Sequence, residues 1–365
     1  MSAAATQTLS GARVALWDNA RFVLIALVVI GHALVSARGD NALGYGIYVY
    51  IYLFHMPALI ALSGLFAKPE VSPKLVRSTI QLLATWLMWE GIWALIRYFV
   101  RGSILSERWL VIPSWTLWFL VTLATMRILL PYIARLRHPL IISIVLALAA
   151  GLSPMIGTEF SAQRTLCLLP FFVGAWLAKE RGCFDRDRFL RPGPGLRTAA
   201  WGVLAAIAAV LVAVPGLRSF WRIEKWITWR DDTVTLFAQA DIGGWAPEIW
   251  WQIALGGIGI RAALLAIAAA MTLALLIVIP RRRGFVTVWG TRTLYVYLLH
   301  APIIWVLRET GLGRAIGGLG DLGVLILILG AVIIAVLLST ALVAKVFRPV
   351  IEPRLDWLYP RETAR

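Results

Sequence analysis

Arg21-Phe-Val-Leu-Ile-Ala-Leu-Val-Val-Ile-Gly-His32 is an apolar run with a guanidinium at one end and an imidazole at the other. Eleven helical steps of about 100° overshoot three full turns by about 20°, so both side chains fall on one face of a helix. Along the axis they stand roughly 16 Å apart, one near a membrane edge and one well inside. Ionisable groups on the stripe of a buried membrane helix are costly and mark a pathway or a site.

Working outward, the rest of the chain has the same character. It is 60% hydrophobic, and its apolar runs match the roughly 17–25 residues of a bilayer crossing. The expected fold is an all-α polytopic membrane protein; a soluble multidomain protein is excluded. Cys167 lies in an apolar span and Cys183 in a basic loop. Neither has metal-ligand spacing with a histidine, so no metal site is expected. The net charge of +16 resides mostly in short loops between apolar runs, where it reports topology and contact with anionic lipid rather than nucleic acid. Phe22–Leu34 followed by Val35-Ser36-Ala37 has the shape of a secretory signal core. The preceding segment is long and carries Asp18, however, and cleavage would discard His32, so an uncleaved first span is preferred.

Apolar runs and their breaks predict about ten crossings, near 20–37, 46–66, 78–99, 113–131, 139–153, 164–178, 198–216, 257–279, 286–307 and 322–344. One set of loops holds Lys68, Lys74, Arg77, Arg135, Arg137, Lys179 and the Arg281–Arg283 run. The other set is poorer in cations, with Arg38, Arg101, Arg108, Arg218 and Arg222 among them. The basic side is expected to be cytoplasmic, with both termini there, in a plasma (inner) membrane. Residues 1–349 form the membrane domain, and 350–365 a short cytoplasmic tail. The longest outer loop, about 217–250, is aromatic-rich, with Trp221, Trp226, Trp229, Trp245, Trp250 and Trp251, and mixed in charge, with Glu224 and Asp241. It reads as an interfacial aromatic belt or as a partly folded cap.

Depth then aligns particular residues. His32 lies eleven residues past Arg21, His55 thirteen before Lys68 and Glu90 thirteen past Arg77; Arg164 lies fifteen before Lys179 and His300 sixteen past Gly284. All convert to roughly 16–24 Å from the inner face, on different helices. Each has a plainer reading. A lone histidine can serve as an interhelical hydrogen-bond partner, and Glu90 as glue to Arg164 or Arg97. Arg97, Arg127 and Arg164 can snorkel, and Arg261 and Arg292, placed in or near inner halves, can line a vestibule or snorkel. A shared layer of mixed acid, base and cation favours a site.

Several stretches resemble the membrane-bound acyltransferase 3 family, particularly its fucose 4-O-acetylase-like branch. They are Asp18-Asn19-Ala20-Arg21 with His32; Phe54-His55-Met56-Pro57 with Ser63-Gly64; Leu117-Trp118-Phe119-Leu120; Arg164 with Leu169-Pro170-Phe171-Phe172 and Gly174; and Leu294-Tyr295-Val296-Tyr297-Leu298-Leu299-His300. Their order covers essentially the whole chain. The resemblance implies transfer of an acyl group, by family habit acetyl, from cytoplasmic acyl-coenzyme A to a hydroxyl of a sugar, polysaccharide or glycolipid. No permanently bound cofactor is implied.

Such a reaction needs a general base, an oxyanion stabiliser and a holder for the donor's phosphates. His32 is the candidate base. Arg21, with Arg292, is the candidate phosphate holder. Glu90 is expected to orient an imidazole; His55, His300 and Arg164 are candidates for oxyanion or acceptor contact. Direct transfer and an acyl-histidine intermediate both remain open. So do two other classes: a transporter or flippase of a glycolipid or polar solute, and a scaffold in which the polar layer is only glue.

Overall fold

A computed structural model describes residues 3–102, 108–214, 223–238 and 249–359. It is 77% helical, and no strand occurs among the described residues. Trp221, Asp241, Trp245, Arg218 and Arg222 lie outside them, as does the tail beyond 359.

The helices run in the order α1 Ala3–Leu34, α2 Ala42–Tyr52, α3 His55–Leu65, α4 Pro73–Arg101, α5 Trp118–Ile133 and α6 Pro139–Leu152. Next come α7 Ala162–Glu180, α8 Asp187–Leu190, α9 Pro194–Ala213, α10 Ile223–Trp226, α11 Thr233–Ala238 and α12 Trp250–Val278. The series ends with α13 Phe285–Gly290, α14 Thr293–Glu309, α15 Leu312–Gly317, α16 Asp321–Leu338 and α17 Ala341–Ile351. Six stretches are long and apolar enough to cross a membrane: Ala15–Leu34, Ala42–Leu65, Pro73–Val100, Pro194–Ala213, Trp250–Val278 and Asp321–Leu338. Ten crossings additionally require the shorter or more polar helices α5, α6, α7 and α14 to span.

Local chemistry sets the helix ends. Ser72 caps α4 by accepting a hydrogen bond from the Leu75 N–H at 3.2 Å, with Pro73 in the first turn, and Gly102 closes the helix at φ 69°. Three predicted spans are interrupted within their length. The second breaks at Leu53–Phe54, just before His55; the ninth breaks at Thr291–Arg292; the last breaks at Ser339–Thr340. The fourth begins later than expected. Residues 113–117 are not helical, with Trp115 at φ 25°, and α5 starts only at Trp118.

Helix α1 is the central pillar, packed against α13, α14 and α16 on one flank and α2 and α3 on the other. Two glycines permit close approaches. A Cβ on Gly290 would overlap the Asp18 carbonyl of α1, and one on Gly64 would overlap the Phe172 carbonyl where α3 crosses α7. Asn19 ties the 280–287 turn to α1: its Nδ2 donates to the Pro280 and Arg282 carbonyls at 2.8 and 3.1 Å. Its Oδ1 accepts from Thr287 Oγ1 at 2.7 Å.

The described part of the outer loop folds as the helices α10 and α11, with Trp226 and Trp229 buried, while Trp250 and Trp251 at the start of α12 are exposed. Residues 350–359 pack along α4. Trp89 Nε1 donates to the Val350 carbonyl at 2.8 Å and Gln81 Nε2 to Pro353 at 3.0 Å, and the Arg77 guanidinium lies 4.9 Å from the Tyr359 ring centroid.

Candidate active site

The run from Arg21 to His32 is unbroken helix within α1. At the deep end, His32 Nδ1 lies 2.9 Å from Nε2 of His300, with the two rings inclined by 18°. The hydrogen positions follow from the partners. His300 Nδ1 lies 2.9 Å from the Val296 carbonyl, which can only accept, so Nδ1 carries the hydrogen. In a neutral ring Nε2 of His300 is then the acceptor, and His32 must donate through its own Nδ1. Nε2 of His32 is thereby left with its lone pair, the form a general base requires. His300 is fully enclosed and His55 is 1% exposed, whereas His32 is only partly buried. Of these imidazoles, His32 is the most exposed.

Aromatic rings complete the surroundings. Tyr52 stands 6.5 Å from His32 and 4.7 Å from His55, bringing the third imidazole to the cluster. His55 Nδ1 lies 2.8 Å from the Ile51 carbonyl across the α2–α3 break. By the same argument a neutral His55 offers an acceptor at Nε2, not a donor, which suits contact with a hydroxyl better than stabilisation of an oxyanion. The Trp115 indole sits 5.1 Å from the His32 ring, and Arg308 lies over Trp115 at 5.4 Å.

At the other end, Arg21 lines a cavity of about 470 Å³ shared with Lys68, Lys74, Arg127, Ser63, Ser72 and Ser78. Asp18 holds the Arg21 guanidinium at 2.9 Å, and the Phe66 ring lies 4.6 Å from it. The same wall is the first turn of α4, which has no acidic residue and carries Lys74. A cation there opposes the helix dipole, whereas an anion in the cavity would satisfy both the dipole and the side chains. The far end of the cavity reaches Leu59, Phe119 and Thr293. Phe119 lies 5.4 Å from Tyr297, which lies 6.4 Å from His300. This contact chain links the basic cavity to the imidazole pair. His32 is not itself among the cavity's lining residues.

An acyltransferase domain model, that of the acyltransferase 3 family, matches residues 14–344. The chain belongs to that family. Neither a curated protein nor a solved structure matches it. In this family member, the remaining residues singled out by sequence are distributed as follows. Glu90 is fully buried, but its carboxylate binds Ser114 and Trp86 rather than an imidazole. Arg164 donates from Nε to the Thr228 carbonyl at 3.2 Å and lies 4.5 Å from the Trp118 centroid, so it joins the folded outer loop to the layer. Arg292 donates to the Ser339 carbonyl at 3.0 Å and is not among the residues lining the Arg21 cavity. Arg261, expected in an inner half, instead binds the Asp231 carbonyl at 2.6 Å. It therefore lies toward the outer loop, because α12 begins at Trp250 and carries Arg261 only eleven residues in. Among the described residues no group of three or more His, Cys, Asp and Glu converges as a metal site would require.

Sequence reading also missed residues that the structure places at the cavity and beside the imidazoles. Arg127 read as a snorkelling cation, yet it faces the Arg21 cavity. Its position toward the same end of the bundle as Lys68 and Lys74 was a usable signal. Ser114 and Trp115, in a non-helical stretch between two apolar runs, carried none.

Proposed function

We propose that this family member is an integral membrane O-acyltransferase. In this reading it moves an acyl group, acetyl by family habit, from cytoplasmic acyl-coenzyme A to a hydroxyl of a sugar, polysaccharide or glycolipid. It has ten crossings of the inner membrane with both termini cytoplasmic. The observation that carries this reading is the His32–His300 pair, which leaves a basic imidazole nitrogen about 16 Å along one helix from a cationic cavity.

The donor's phosphates occupy the cavity between Arg21, Lys68, Lys74 and Arg127, and its thiol arm runs along α1 toward His32. His32 Nε2 takes the proton of the acceptor hydroxyl as the oxygen attacks the thioester carbonyl carbon. The negative charge on the carbonyl oxygen is met by Arg164, the cation of this layer. The C–S bond then breaks, the sulfur leaves with the proton returned by His32, and the products are an ester and free coenzyme A. His300 takes no proton; it holds the ring and its tautomer, the part a carboxylate plays in a triad.

The test uses purified full-length protein in detergent, supplied with acetyl-coenzyme A and an extract of cell-envelope glycans. Acceptor-dependent release of free coenzyme A, with an added acetyl mass on a glycan, is expected. It should be lost in His32→Ala at unchanged protein abundance. A transporter would release none, and a scaffold would lose abundance instead.

A further inference from the structure

Glu90 has no task in the transfer chemistry above, although it is fully buried at the same depth. Its carboxylate accepts hydrogen bonds from the Ser114 backbone N–H at 2.6 Å, from Ser114 Oγ at 2.5 Å and from Trp86 Nε1 at 3.0 Å. Arg97 Nη1 donates to Ser114 Oγ at 3.0 Å. These bonds seize one end of the non-helical stretch before α5. The Tyr297 hydroxyl seizes the other end by donating to the Thr116 carbonyl. The residue between the two anchors is Trp115, at φ 25°. A side-chain-bearing residue keeps such a conformation only where its surroundings over-determine it. Its indole faces the His32 ring on one side; Trp93 meets it edge-on at 6.2 Å.

The position of this wall is telling. Helix α14 starts beside the Arg21 cavity at Thr293, passes His300, and reaches Arg308, which covers Trp115, about 22 Å further on. Trp115 therefore covers His32 from the end opposite the donor cavity.

We propose that Glu90 is a positioning residue. By anchoring Ser114 it holds Trp115 as the wall of His32 on the acceptor side, so that the wall sets how a hydroxyl approaches the imidazole. The acceptor part of this assignment rests on the acyl-transfer reading; the mechanical part, Glu90 acting on Trp115 and Trp115 shielding His32, does not.

The experiment measures modification of His32 by diethyl pyrocarbonate, located by mass spectrometry, in full-length protein in detergent. Glu90→Ala should speed modification of His32 by at least about tenfold, the factor corresponding to one lost hydrogen bond to a charged group, and Trp115→Ala, which removes the wall itself, by at least as much. The double variant should be no faster than the faster single one, because both changes remove the same wall. Glu90→Gln, whose remaining carbonyl oxygen still accepts from the Ser114 N–H, should stay within about twofold of the parent. Should Glu90→Ala not fold, Glu90→Leu, which fills the same space without an acceptor, forms the same cycle with Trp115→Ala. An unchanged rate in Glu90→Ala or Glu90→Leu, or single effects that multiply in the double variant, would overturn the proposal. Failure of acetyl transfer with an intact reactivity cycle would instead remove only the acceptor assignment.

Discussion

Replacing His300 with alanine separates orientation from proton transfer in the imidazole pair. His300 is pinned by Val296 and accepts from His32 Nδ1 at 2.9 Å. Without it, the Nδ1–H of His32 loses its partner, and the ring is free to place its hydrogen on Nε2, where it is useless as a base. Leaving a buried donor unpaired costs about 1–3 kcal/mol. If that cost falls on the active tautomer, turnover drops by about fivefold to about 150-fold at 1.36 kcal/mol per factor of ten. Removing the base itself, in His32→Ala, costs about 10²–10⁴. The expected order of kcat is parent, His300→Ala, His32→Ala. The KM for acyl-coenzyme A should be unchanged, since the cationic cavity is remote. Gln at position 300 can still accept from His32 through its amide oxygen and should recover most of the loss. The assay is release of free coenzyme A, followed with a thiol reagent in detergent or nanodiscs. Undiminished turnover in His300→Ala, or turnover below that of His32→Ala, would refute the relay.

Arg21→Gln should raise the KM for acyl-coenzyme A with little change in kcat. A bond to a charged group is worth about 1.5–3 kcal/mol, and partial exposure of this guanidinium puts the effect at the lower end, about tenfold. Lys74→Gln, at an exposed position on the cavity's wall, should change KM far less and mainly flatten its dependence on salt. Gly64→Ala forces a methyl against the Phe172 carbonyl, a backbone atom that cannot swing aside, and should cost about 1–3 kcal/mol, read as a lower Tm in detergent. Asn19→Ala strips the Pro280 and Arg282 carbonyls and Thr287 of a partner and should destabilise by about 1–3 kcal/mol. A parent-like Tm in that variant would show that the 280–287 turn is held by other contacts.

Helix placement was readable from the chain because apolar run length and bilayer thickness share a scale. The interruption before His55 was unreadable, since hydropathy does not change across Leu53–Phe54, whereas those at Thr291–Arg292 and Ser339–Thr340 fall on short polar pairs that were read through as part of an apolar span. For the site, depth was legible and direction was not. Counting residues placed His32, His55, Glu90, Arg164 and His300 at one level, and the structure joins His32 to His300 and brings His55 in through Tyr52. Nothing in the count distinguishes a carboxylate facing an imidazole from one facing Ser114, which lies 24 positions along the chain in a stretch without periodicity. Arg127 was misread for the same reason: its level was clear, but not that α5 turns it toward α1 and α3.

The packing of residues 350–359 along α4 has a consequence for biosynthesis. Helix α4 leaves the ribosome early, yet the carbonyls that receive Trp89 and Gln81 lie 261 and 272 positions later in the chain. Until then those donors wait without their final partners, on a helix whose first turn is already part of the cationic cavity. A chain interrupted between α16 and residue 350 would hold the earlier helices and still present an unsealed flank on α4, a physical cue by which cellular surveillance can recognise it.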